Sequence, residues 1–149
     1  MKTAIFLSLI IFFTFTGCEK KYDVDDISSF EFNYSTGSGW TNYLYNLQLK
    51  ETGVLDIQLR RPLSDSINHS VYPISNSDLV EFKPYLVHLL NSDIKENYGV
   101  SPGQITVQAV IGISLKSNIK QVVTSIYGAT ESELPESVKR IMGQVTVLQ

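Results

Sequence analysis

The amino-acid sequence predicts an α+β fold. It is a two-layer sandwich in which two helices cover one face of a mostly antiparallel sheet of five or six strands, in the order β-β-β-(β)-α-β-β-α. Three observations predict it. Three apolar–polar alternating runs follow one another between Phe30 and Arg60 with short turn sequences between them, the pattern of an antiparallel meander with one buried face. Two later stretches, around residues 82–98 and 134–148, space their apolar residues by three and four, the period of an amphipathic helix. Between the helices lies the longest strict alternation in the chain, "QITVQAVIGISLK". Strands grouped apart from helices in this way pack as a sheet with the helices on one side.

In the first strand, "FEFNY", Phe30, Phe32 and Tyr34 alternate with Glu31 and Asn33, and "STGSG" after it is turn-forming. In "NYLYNLQLK", Tyr43, Tyr45, Leu47 and Leu49 share one face, with Asn46, Gln48 and Lys50 opposite. "ETG" closes a hairpin into "VLDIQLR", where Leu55, Ile57 and Leu59 alternate with Asp56, Gln58 and Arg60. "RPLSDSINHS" is expected to be a polar loop. "VYPI" is expected to be a short edge strand, because Pro73 has no N–H to give a central ladder.

The first helix has Phe82, Tyr85, Leu86, Leu89, Leu90 and Ile94 as its stripe, with Tyr98 extending it and Gly99 stopping it. Asp78 and Glu81 are spaced as a capping box, and Pro84 either kinks the helix or marks a start near Lys83. "SPG" turns into the long strand, in which Ile105, Val107, Ala109, Ile111, Ile113 and Leu115 share a face. "SN" then turns into its partner, "IKQVVTSIY". The second helix places Leu134, Val138, Ile141, Val145 and Leu148 on one side, with Pro135 in its first turn. Gly143 and the β-branched residues weaken its end.

The N-terminus belongs to none of these elements. Lys2 is followed by "AIFLSLIIFFTF", an uncharged run of about a dozen residues, well short of the roughly 20 that a helix needs to span a bilayer. A positive start, an apolar core of that length and small residues behind it make a secretory signal. Thr16 and Gly17 supply the small residues, and Cys18, the one cysteine of the chain, stands directly after them. The segment resembles the start of bacterial lipoprotein precursors, whose lipobox ends in a small residue and a cysteine that is lipidated. Phe15 stands where that pattern usually has leucine. The resemblance implies that residues 1–17 are removed and that Cys18 becomes an acylated first residue, inserted in membrane lipid. It leaves the mature chain without a thiol for disulfides, nucleophilic chemistry or metal binding.

Residues 18–26 are then expected to be a charged tether, and residues 27–149 a single globular domain. The acids Asp23, Asp25 and Asp26 in "EKKYDVDD" resemble the surface-export signal of Bacteroidetes-type lipoproteins, with Lys20 and Lys21 interrupting it. The implied address is the bacterial cell envelope, at the outer membrane. The chain is mildly acidic, with a net charge of −3, and Arg60 and Arg61 form its one adjacent arginine pair. That gives no basic footprint for nucleic acid, which is not expected as a partner.

The catalytic and cofactor classes find little support, and no cofactor or metal is expected. His69 and His88 are far apart and match no metal-binding spacing. Ser92 and Lys95 form S-x-x-K, but the companion motifs of acyl enzymes with that spacing are missing, and Ser92 suits local hydrogen bonding at a helix end. The acid pairs Asp78/Glu81 and Glu131/Glu133 lie at helix starts, where capping and the helix dipole explain them.

One segment, "STGSGWTNYLY", offers a binding option. Trp40 with Tyr43 and Tyr45 could form an aromatic platform for a sugar ring, whereas the shared face with Leu47 and Leu49 assigns the tyrosines to the core. The leading expectation is a non-enzymatic envelope lipoprotein that binds an envelope or extracellular protein. The alternative is a glycan- or peptidoglycan-directed protein using the Trp40 region.

Overall fold

A computed structural model describes residues 20–38, 43–62, 64–99 and 110–147, the last two residues by backbone alone. Its elements are β1 (Phe30–Ser38), β2 (Tyr43–Lys50), β3 (Val54–Arg60), β4 (Ile67–Pro73), α1 (Asn76–Leu90), β5 (Asn97–Gly99), β6 (Val110–Ser117), β7 (Gln121–Tyr127) and α2 (Glu136–Val147). The strands form one open sheet in the order β4-β3-β2-β1-β6-β7-β5. Every pair is antiparallel except β5–β7. The fold is α+β, with two helices beside a seven-stranded, mostly antiparallel sheet.

The first four strands run as a meander, and the β6–β7 hairpin docks on the free side of β1. That makes β1 an interior strand, and α1 carries the chain from one edge strand, β4, to the other, β5. The helix side of the sheet is the core. Phe32, Leu47, Leu49, Ile113 and Leu115 meet Leu86, Leu89 and Leu90 of α1 and Val138, Ile141 and Val145 of α2, all nearly inaccessible to water. Phe32 and Phe82 pack edge to face with ring centres 5.4 Å apart. Each such side chain contributes about 1.5–3 kcal/mol on burial, so this face dominates the stability of the domain.

Several local expectations are corrected. The first helix does not run on through Tyr98. It ends at Leu90, with Asn91 as its cap, and Asn97–Gly99 forms β5 beside β7. Tyr98 is buried all the same, because the strand register sets it opposite Ile126 on the core side. The N-cap is Ser75, one turn before the expected capping pair: its hydroxyl oxygen accepts the Asp78 N–H at 3.2 Å and its O–H donates to the Asp78 carboxylate at 2.7 Å. Pro84 lies inside the helix. It is exposed, as is Val80 at 62%, whose carbonyl loses the Pro84 N–H on the side open to water.

The polar "INHS" is the first half of β4 and no loop. An edge strand that no layer covers among the described residues needs no apolar alternation, which hid it. With β4 and β5 counted, the sheet has seven strands where five or six were expected. Residues 104–109 of the long alternating strand lie outside the described residues, and its second half forms β6.

The segment expected to be a tether is docked from Tyr22 onward. Val24–Asp26 forms a single 3-10 turn capped by Asp23. Asn118, in the β6–β7 turn, accepts the N–H groups of Ser28 and Ser29 at 3.0 and 3.2 Å and donates to the Asp26 carbonyl at 2.9 Å.

Candidate functional site

The strand register sorts every side chain of the sheet onto one of two faces. The face away from the helices is uncovered among the described residues, and its composition is unusual for a solvent face. Pairing places His69, Gln58, Asn46, Ser35, Gly112, Ser125 and Asn97 directly opposite one another, one from each strand, in a row across the whole sheet. The row holds amides, hydroxyls, an imidazole and a glycine, and neither a carboxylate nor an ammonium group. The neighbouring row on one side ends in Val71 and Val123, both about half exposed, and the row on the other side carries Ile67 on β4 and Tyr127 on β7.

Two acids lock parts of this face. Glu31 accepts from the side-chain amides of Gln48 at 3.0 Å and Asn33 at 3.3 Å. Asp56 lies 2.9 Å from the His69 ring nitrogen. Toward the β1–β2 end the face sinks into a trough of about 460 Å³ bordered by Ser35, Leu44, Arg60, Gly112 and Ser125. The depression exists because the cross-strand neighbours are small: a Cβ on Gly112 would stand 2.7 Å from the Ser35 hydroxyl. Amides and hydroxyls held this way both donate and accept, so they can pair with peptide groups or with sugar hydroxyls.

The residues singled out in the sequence fall elsewhere. Tyr45 is 7% exposed and points to the helix side, with its ring edge-on to Tyr34 at 6.3 Å. It therefore cannot act as a platform, since its ring is spent in packing. Tyr43 lies on the same side and packs against the core. Trp40 and Cys18 lie outside the described residues.

The Ser92 hydroxyl donates to the His88 carbonyl at 2.6 Å, which commits its proton to a helix end. The Glu133 carboxylate accepts the Thr130 N–H at 2.6 Å and its hydroxyl at 2.8 Å, and these contacts hold it below the usual carboxylate range. Glu136 is lowered by Lys139 and Arg140. Burial, with Tyr45 and Tyr43 nearby, pushes the Tyr34 hydroxyl up. Helix capping, ion pairing and packing account for these three groups. Among the described residues no group of three or more His, Cys, Asp or Glu is placed to hold a metal. None of the described helices is long and apolar enough to cross a membrane.

The sequence contained the open row without announcing it. Asn46 and Gln58 stand at alternating polar positions where lysine and glutamate are the common solvent-face choices, but the alignment of seven strands is a property of register alone. No protein-family profile and no curated protein sequence matches the chain.

Proposed function

We propose that the chain is a lipid-anchored protein of the bacterial cell envelope, held at the outer membrane by acylated Cys18. Its domain binds a protein partner on the open face of the sheet and performs no catalysis of its own. An inhibitor, an immunity-type factor or an accessory subunit of an envelope complex would be built this way.

The observation that supports this best is the uncharged row and the broad face around it. Five strand spacings between the six longer strands, about 4.8 Å each, make the face about 24 Å wide, and seven residues at about 3.3 Å each make it about 23 Å long. The product, on the order of 550 Å² before the three residues of β5 are added, is about two-thirds of the roughly 800 Å² that one partner gives to a stable interface. Depletion of charge at the centre is the compositional mark of such surfaces.

The test has two parts. Cys18→Ala is expected to move the domain from the membrane to the soluble fraction, and protease treatment of intact cells reports which side it faces. A Cys18→Ala chain that stays membrane-bound would sink the anchor. Asn46→Arg puts a charge in the middle of the row without touching the core. Crosslinks from the wild type to envelope proteins should disappear in that variant, and an unchanged set would remove the face from consideration.

The same row favours a glycan as the second reading, because uncharged amides and hydroxyls suit sugar hydroxyls. Retention of the wild type on purified peptidoglycan or capsular polysaccharide, lost with Asn46→Arg, would favour it over the protein partner.

A further inference from the structure

The two edges of the sheet are unlike. β5 is three residues long and follows directly on Lys95 and Glu96, so it is both short and charged at its entry. β4 runs for seven residues, Ile67–Pro73, without a lysine, arginine, aspartate or glutamate, and is exposed almost throughout. Natural sheets blunt their edges with charge, proline, brevity or cover. Along residues 67–71 this edge has none of these among the described residues, and its one proline, Pro73, stands at the far end.

The backbone direction of β4 follows from one bond. The Ile74 N–H donates to the Gly53 carbonyl at 2.7 Å, and the register sets Pro73 opposite Val54. Hydrogen-bonded and non-bonded pairs alternate along an antiparallel ladder. Tyr72, Ser70 and Asn68 therefore bond inward to β3, while Ile67, His69 and Val71 aim their N–H and C=O groups outward. Pro73 occupies an outward position, where its missing N–H costs the sheet nothing.

Residues 67–71 of this strand are also symmetric about His69. Reading from His69 in either direction gives a polar residue (Asn68 or Ser70) and then an exposed aliphatic one (Ile67 at 44%, Val71 at 55%). We propose that β4 pairs antiparallel with the β4 of a second copy of this chain, about a two-fold axis at His69. An isologous contact needs a self-complementary strand, and this one is: Ile67 falls against the second copy's Val71, Asn68 against its Ser70, and His69 against its His69. Every outward N–H of Ile67, His69 and Val71 then finds a carbonyl.

The joint also suits the charge of the molecule. Two copies of a chain with net charge −3 repel over most approaches, whereas β4 itself carries no Lys, Arg, Asp or Glu and the neighbouring Asp56 carboxylate is engaged by His69 at 2.9 Å. The uncharged row that starts at His69 continues across the axis into the row of the second copy, doubling the open face. The dimer stands independently of what that face binds.

Sedimentation of the full chain in mild detergent should give the mass of two chains, and Val71→Lys, which sets charge on the edge, the mass of one. In the same preparation, His69→Cys treated with a short bis-maleimide should form a crosslinked homodimer. The Cα atoms of such a hydrogen-bonded pair stand about 5.5 Å apart and the Cβ atoms about as far, too wide for a direct disulfide and within reach of the crosslinker. Ser77→Cys on the exposed start of α1, and the wild type with Cys18 alone, set the background. A wild type that sediments as one chain overturns the proposal. So does a dimer that persists in Val71→Lys while His69→Cys stays unlinked, because the contact would then lie elsewhere.

Discussion

Asn91 grips the backbone of Tyr22 from both sides. Its side-chain oxygen accepts the Tyr22 N–H at 2.8 Å, and its side-chain nitrogen donates to the Tyr22 carbonyl at 2.8 Å. One amide thus does for Tyr22 what a neighbouring strand would do. Because Asn91 also caps α1 and Asn118 holds Asp26, Ser28 and Ser29 in the same manner, the N-terminal segment is fixed to the domain at two points. The chain is therefore held to the domain by Tyr22, before β1 begins.

Asn91→Ala should free Tyr22 while leaving the sheet intact. Two solvent-exposed hydrogen bonds are lost, at about 0.5–1.5 kcal/mol each at most. Hydrogen exchange is expected to rise at residues 22–27 and to stay unchanged in β1 and β6. Exchange rising across the whole domain would mean that the clamp supports the core and does more than hold the segment.

Phe32→Ala should be among the most damaging single changes. The ring is inaccessible and packs edge-on against Phe82, so its removal leaves a cavity between the sheet and α1. A loss of about 3–5 kcal/mol is expected from urea unfolding. A loss below about 1 kcal/mol would show that α1 collapses onto the sheet and refills the space.

Gly99→Ala tests the short parallel strand. Gly99 has φ of +85°, and a Cβ there would run into the carbonyl of Tyr127 on β7. Left-handed strain of about 1–3 kcal/mol adds to that clash. Tyr98 should come away from Ile126, seen as increased exchange in β5 and β7 and a lowered Tm. Gly143→Ala, in α2 with open space around the new methyl, should be neutral or stabilising.

The buried Tyr34 hydroxyl gives the domain an alkaline limit. Its folded value is raised by burial, so the unfolded chain loses this proton first as pH climbs. The contribution is complete below the ordinary tyrosine value of about 10 and drains away as pH rises toward the folded value. Urea midpoints across that window should fall for the wild type and fall less steeply for Tyr34→Phe. Equal slopes for the two would assign the alkaline limit to other groups.

Much of this architecture was legible in the residues. The alternation of Phe30, Phe32 and Tyr34 and of Leu47 and Leu49 identified the buried face, because a half-buried strand exposes every second side chain to a different solvent. The stripe from Phe82 to Leu90 identified the covering helix for the same reason at another period. Tyr98 shows where period fails. It continues the helical spacing one turn beyond Ile94 yet sits in a strand, since burial fixes which side chains turn inward without fixing the backbone that carries them.

The amphipathic pattern also assigned Tyr43 and Tyr45 to the side shared with Leu47 and Leu49, which is where they lie. What the sequence determined by itself was each element's inner face, because that is a choice between water and the core made residue by residue. The docking of β6 on β1, the parallel pairing of β5 with β7 and the row from His69 to Asn97 were decided only by the tertiary structure. Their cause is hydrogen bonding between backbones far apart in the chain, and backbone groups are alike in every residue, so turn residues announce a hairpin but no side-chain pattern encodes which distant strands lie side by side.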